Sequence, residues 1–100
     1  MVNAVVLVQC EIDEIPEAAQ AIADIPGVSE VYSVAGEYDL VVIIRVGDHD
    51  ELSRVIPEGV AKVDGVARTE TLIAFQVYSK HDLDRLFSIG FDQGQGQGQR

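Results

Sequence analysis

With 100 residues the chain suits a single domain, and a unit this small buries only about two-thirds of the surface its unfolded chain exposes, so association would help it. Seventeen acids against seven bases leave a net charge of −10; such a surface repels phosphate backbones and excludes direct binding of nucleic acid. Of the 47% apolar residues only six are aromatic and none is Trp, so the core must be aliphatic.

In chain order, Asn3 to Glu11 reads as a strand, because Val5-Val6-Leu7-Val8 is a continuous β-rich run that wants both faces covered. Asp13 is the expected N-cap of a helix through Glu14-Ile15-Pro16-Glu17, with Ala18, Ala19, Ile22 and Ala23 as its apolar stripe and Pro26-Gly27 as its stop. Val28 to Ala35 is the second strand. Gly36-Glu37-Tyr38-Asp39 forms a tight turn, since Gly accepts positive φ and Asp can bond nearby amides.

Leu40 to Val46 is the third and most apolar strand. Asp48 caps a second helix with the face Leu52, Val55 and Ile56; Pro57 and Gly59 predict a break near Ile56 to Glu58. Gly65 marks a turn into a long last strand, Val66 to Tyr78. Asp82 to Phe87 is expected to form a short terminal helix. The folded domain is placed at 1–92, and the Gly/Gln tail 93–100, without an apolar residue, is expected to be disordered.

The chain repeats itself. Asp24 to Val34 resembles Lys62 to Leu72, the same offset carries Ala4–Val8 onto Val42–Val46, and Glu14–Ala23 falls on Leu52–Ala61. One strand–helix–strand unit is therefore used twice. Right-handed crossovers put both helices on one side, and the two units interleave most simply as an α+β, ferredoxin-like βαββαβ sandwich with antiparallel strand order 4-1-3-2. The other side keeps an aliphatic set, Val6, Val8, Val42 and Ile44 or their neighbours, that nothing in the chain covers. Such a surface marks an interface, so a homodimer with stacked sheets, a dimeric α+β barrel, is expected.

Signals of catalysis are thin. Cys10 lies in an apolar strand and reads as a small buried hydrophobe that can form no internal disulfide. His49 and His81 each precede acids at helix starts, and Glu11, Asp13, Glu14 and Glu17 form a helix-start cluster. No phosphate loop, nucleophile elbow or zinc spacing occurs, so no catalytic residue, metal site or cofactor is expected. The chain opens directly on a strand without a leader pattern, and its apolar runs fall far short of the roughly 20 residues that cross a bilayer. A cytoplasmic location follows as the expectation.

Two local features remain. Tyr38 and Asp39 are more than a hairpin turn needs: they serve either to pack and cap the turn or to contact a ligand. Thr69 and Thr71 share one face of the last strand, where threonines suit a strand but their hydroxyls can also bond a small polar ligand.

In combination, Pro26-Gly27-Val28, Gly36-Glu37-Tyr38-Asp39-Leu40 and Asp64-Gly65-Val66 followed by Thr69 and Thr71 resemble the effector-binding domain of the Lrp/AsnC family of leucine-responsive transcriptional regulators, over residues 3 to 79. Regulators of that family carry a helix-turn-helix domain before this one, so the resemblance implies a stand-alone ligand-sensing module. It implies sheet-stacked dimers assembled into rings, and a small effector, usually an amino acid, in clefts between dimers. Gly36, Glu37, Tyr38, Asp39, Thr69 and Thr71 would line that cleft, and a full-length regulator becomes a partner by association. The rival reading is a small dimeric α+β barrel enzyme of monooxygenase or isomerase type, which would need a polar pocket between helices and sheet.

Overall fold

The computed structural model describes residues 1–78. Four strands, β1 (Val2–Cys10), β2 (Val28–Ser33), β3 (Leu40–Val46) and β4 (Val66–Ile73), form one antiparallel sheet in the order β2-β3-β1-β4. That is the expected 4-1-3-2 arrangement read from its other edge. Helix α1 (Ile15–Ala23) links β1 to β2, and α2 (His49–Val55) lies between β3 and β4. The expected helix over Asp82 to Phe87, the domain limit at 92 and the tail 93–100 lie outside the described residues.

Alternation along the central strands decides which side is which. Ala4, Val6, Val8 and Cys10 of β1 and Leu40, Val42, Ile44 and Val46 of β3 are buried under Ala18, Ile22, Leu52, Val55 and Val60. The neighbours Val5, Leu7, Val41 and Ile43 are therefore the bare set, only partly shielded by one another. The core is aliphatic throughout, with no buried polar or charged residue among the described residues.

The repeat survives in detail. Gly27 and Gly65 both adopt positive φ, +101° and +93°. β2 slips against β3 between Val28 and Glu30, and β4 slips against β1 at the corresponding place, where Val66 faces Cys10 and Arg68 faces Gln9. Each bulge lets the first Val of its strand and the residues after the slip keep their own sides of the sheet. Ile22 and Val60 are repeat equivalents and both are fully buried, one from a helix and the other from a 3-10 turn, Val60–Lys62.

Three boundaries differ from expectation. Asp13 caps nothing: the Glu11 amide is bound to the Gly65 carbonyl at 2.8 Å and the Glu14 amide to the Glu11 carbonyl at 3.0 Å, so a 3-10 turn, Ile12–Glu14, begins at once and α1 starts behind it without a side-chain cap. β2 ends at Ser33 because the Val34 amide already closes the loop onto the Asp39 carbonyl at 3.0 Å. β4 stops at Ile73, well before Tyr78, because its partner runs out: the Ala74 amide reaches Asn3, one residue from the start of β1. Asp48 does cap α2, accepting the Glu51 amide at 2.9 Å, while the Glu51 carboxylate takes the Gly47 amide at 2.7 Å. α2 ends at Val55, where Pro57 and Gly59 predict the break.

Candidate functional site

The β2–β3 turn is braced from three sides. Its sharp corner is Gly36, at φ +141° with open space around it. Behind that corner, the Asp39 amide donates to the Val8 carbonyl at 2.9 Å and an Asp39 carboxylate oxygen accepts the Cys10 amide at 2.8 Å. Gln9 Nε2 donates to the Glu37 carbonyl at 3.1 Å. Tyr38 then reaches past β1 to β4: its hydroxyl donates to Glu70 Oε1 at 2.6 Å and accepts from Arg68 Nη2 at 2.7 Å, with the guanidinium 5.4 Å from the ring centroid. Charge-assisted bonds of this kind are about twice as strong as neutral ones, and the cation lies within reach of the ring's negative face.

These braces leave the tip of the turn free. Among the described residues, no hydrogen bond engages the amides of Gly36, Glu37 or Tyr38, and the Glu37 side chain is exposed. The turn thus offers three successive N–H groups beside one carboxylate on a backbone that is already fixed. Cys10 is spent on structure: its thiol is buried, and burial, then the Asp39 and Glu11 carboxylates, pushes its pKa above the ordinary value, away from a reactive thiolate.

The two threonines lie elsewhere. Thr69 pairs with Val8 and Thr71 with Val6, so both point to the helix side, whereas Arg68 and Glu70 share the bare side with Gln9 and Leu7. Thr71 edges a shallow groove of about 350 Å³ between α2 and β4, with Ile73, Leu52, Ile56 and Pro57 as its apolar wall and His49 and Ser53 above. The groove exists because α2 is short: α1 packs along β2, but the break at Pro57 leaves the end of β4 without an equivalent cover among the described residues. A second hollow of about 270 Å³ at Ile25, Pro26, Glu51, Arg54 and Val55 holds none of the expected residues.

Among the described residues, then, the Gly36–Asp39 turn and the threonine pair line no common pocket: the threonines face the helix side, while Tyr38 bonds Arg68 and Glu70 on the bare side. His49 heads α2 at the groove rim, and His81 lies outside the described residues. No cluster of three metal-ligating side chains occurs among the described residues, and none of their helices is long and apolar enough to cross a membrane. Sequence reasoning missed Gln9, Arg68 and Glu70. Alternation puts Arg68 and Glu70 opposite the threonines, but only the β1–β4 register shows that Tyr38 meets them.

An antiparallel βαββαβ sheet with helices on one side defines a ferredoxin-like α+β domain. A family model described as the Lrp/AsnC ligand binding domain matches residues 3–83, and the chain belongs to this family. It is 41% identical over 59 residues to an uncharacterized HTH-type transcriptional regulator of Pyrococcus horikoshii, covering 59% of this chain and 39% of the relative. The chain spans about half or less of the length of the curated relatives it matches. Among solved structures, one from Thermus thermophilus is 44% identical with a TM-score of 0.75, covering 80% of this chain and all of the other. A feast or famine regulatory protein from M. tuberculosis, complexed with L-methionine, is 26% identical with a TM-score of 0.67, covering 80% of this chain and 54% of the other.

Proposed function

We propose that this chain is a non-enzymatic sensing module of a transcription regulator, a homo-oligomer that takes an amino acid in a cleft between subunits. The observation that carries this reading is the braced turn with three open amides. Those of Gly36, Glu37 and Tyr38 meet the α-carboxylate, and the free carboxylate of Glu37 with the remaining oxygen of Asp39 faces the ammonium. Thr69 and Thr71 of another copy complete the lining, since within one subunit they lie on the far side of the sheet. The methionine-bound relative supports the ligand class.

Dimerisation through the bare side suits its make-up. Val5, Leu7, Val41, Ile43 and Leu72 occupy it, and its charged residues are Glu30 and Glu70 against Arg45 and Arg68, a balanced set in a chain of net charge −10. A second copy, or the same domain of a full-length regulator, can therefore stack there without like-charge cost at the contact. Such a module acts in the cytoplasm, on DNA only through its partner. An α+β barrel enzyme would need polar groups under the helices, where the described core is aliphatic.

A thermal-shift panel of the twenty amino acids tests the reading. A ligand at one hundred times its dissociation constant adds about 2.7 kcal/mol, which for a domain of this size raises the melting temperature by roughly 10 °C or more. No shift from any amino acid at tens of millimolar would remove the proposal.

A further inference from the structure

The chain leaves the sheet as an uncharged, mostly apolar arm. Past Ile73 it reads Ala-Phe-Gln-Val-Tyr, and Phe75 is 98% exposed, Tyr78 88% and Val77 53%. A fully exposed Phe forfeits the burial of a large aromatic surface, and a run of such residues marks a contact. Beside the root of this arm lies the groove between α2 and β4, also apolar and also open, with Thr71 at its edge.

The arm does not fill its own groove. Ile73 lines it, but the sheet pairing ends at Ala74 and Phe75 stands clear of every described residue's cover. Two residues of extended chain span about 6.6 Å, enough to carry the Phe75 ring past the groove's end and out toward a neighbour. Knob and hole match in kind: neither the arm nor the groove wall carries a formal charge, in a molecule whose remaining surface is acidic enough to repel its own copies.

We infer that Phe75 of one copy inserts into the α2–β4 groove of a second copy, joining sheet-stacked dimers to one another and closing the space that Thr71 lines. The inference rests on the assembly proposed above and names the contact that builds it. Each copy gives an arm and receives one, a head-to-tail contact that propagates around a ring. The cavity so formed has an apolar wall from the arm and from Leu52 and Ile56, and polar edges from Thr71, Ser53 and His49.

Sedimentation velocity of the full chain tests this with two exposed substitutions, Phe75→Ser in the arm and Ser53→Trp to plug the groove. Each alone should sediment as a dimer. An equimolar mixture should regain species heavier than the dimer, because intact arms of S53W meet open grooves of F75S; this recovery also shows that both variants are folded. If F75S assembles like the wild type, or the mixture restores nothing, the inference is overturned. A wild-type chain that never exceeds the dimer removes the assembly reading itself, an outcome distinct from an F75S variant that matches an assembling wild type.

Discussion

Asp39 holds two strands at once. Its amide and carboxylate fasten the turn to Val8 and Cys10 of β1, while its carbonyl closes the loop onto Val34. Replacing it by Ala strips the partly buried Cys10 amide of its acceptor, and hydrogen bonds to charged groups contribute about 1.5–3 kcal/mol. Asp39→Asn keeps an oxygen in place and should cost less than about 1.5 kcal/mol. Urea denaturation of the two variants checks the order; equal losses would mean that the charge matters and the bond does not. The same residue was conspicuous in the sequence as surplus to a turn, yet its partner, 29 positions earlier, was not legible. A tight turn shows locally, but which backbone amide lies beneath it depends on strand register. Tyr38 makes the same point: its motif stands out, whereas its phenol's bonds to Arg68 and Glu70 needed the strand order and a bulge to be known.

The internal repeat made the strands and their order readable, and the paired glycines show why. Gly27 and Gly65 turn the chain back into the edge strands, each with positive φ and each followed by Val and a bulge. The spaces around the glycines differ, however. A Cβ on Gly27 would stand 2.8 Å from Val55 Cγ2 and 3.0 Å from Val46 Cγ1, whereas one on Gly36 would meet nothing within 4 Å. Gly36→Ala should therefore cost only the backbone strain of a side chain held at φ +141°, about 1–3 kcal/mol. Gly27→Ala adds overpacking of roughly 1–3 kcal/mol against the core, so its midpoint in urea should fall clearly further than that of Gly36→Ala. Equal losses would show that the Val55 contact relaxes freely. The second copy departs from the first where its residues say it should. By repeat alone Leu52–Ala61 would mirror Glu14–Ala23 as a helix, but Pro57 and Gly59 announce the break, α2 ends at Val55, and the missing turns leave the groove beside β4 uncovered by the described residues. Asp13 and Asp48 show the opposite limit of local signals: both suit a cap, and only Asp48 is used, because the Gly65 carbonyl draws the chain at Glu11 into a 3-10 turn first.

For the whole molecule the governing balance is between an aliphatic sheet face and a net charge of −10. The proposed pairing of two copies through Val5, Leu7, Val41 and Ile43 would bring two strongly acidic bodies together, although the charged residues of that face are balanced. Burial favours the dimer and is nearly independent of salt, whereas the long-range repulsion is screened as the Debye length shrinks from about 30 Å at 0.01 M ionic strength to 10 Å at 0.1 M. The proposed dimer should therefore tighten as salt is added, with a dissociation constant that falls between 0.01 M and 0.1 M. This sign is opposite to that of a protein held to phosphates, whose affinity drops with salt. Leu7→Asp places two carboxylates near the middle of that contact and should yield a folded monomer, since Leu7 lies outside the buried core of the single chain. Sedimentation equilibrium across a salt series measures both effects. A dissociation constant that rises with salt would mean that ion pairs such as Glu30 or Glu70 with Arg45 or Arg68 of the other copy hold the faces together. A Leu7→Asp variant that stays dimeric would move the interface off the bare face of the sheet.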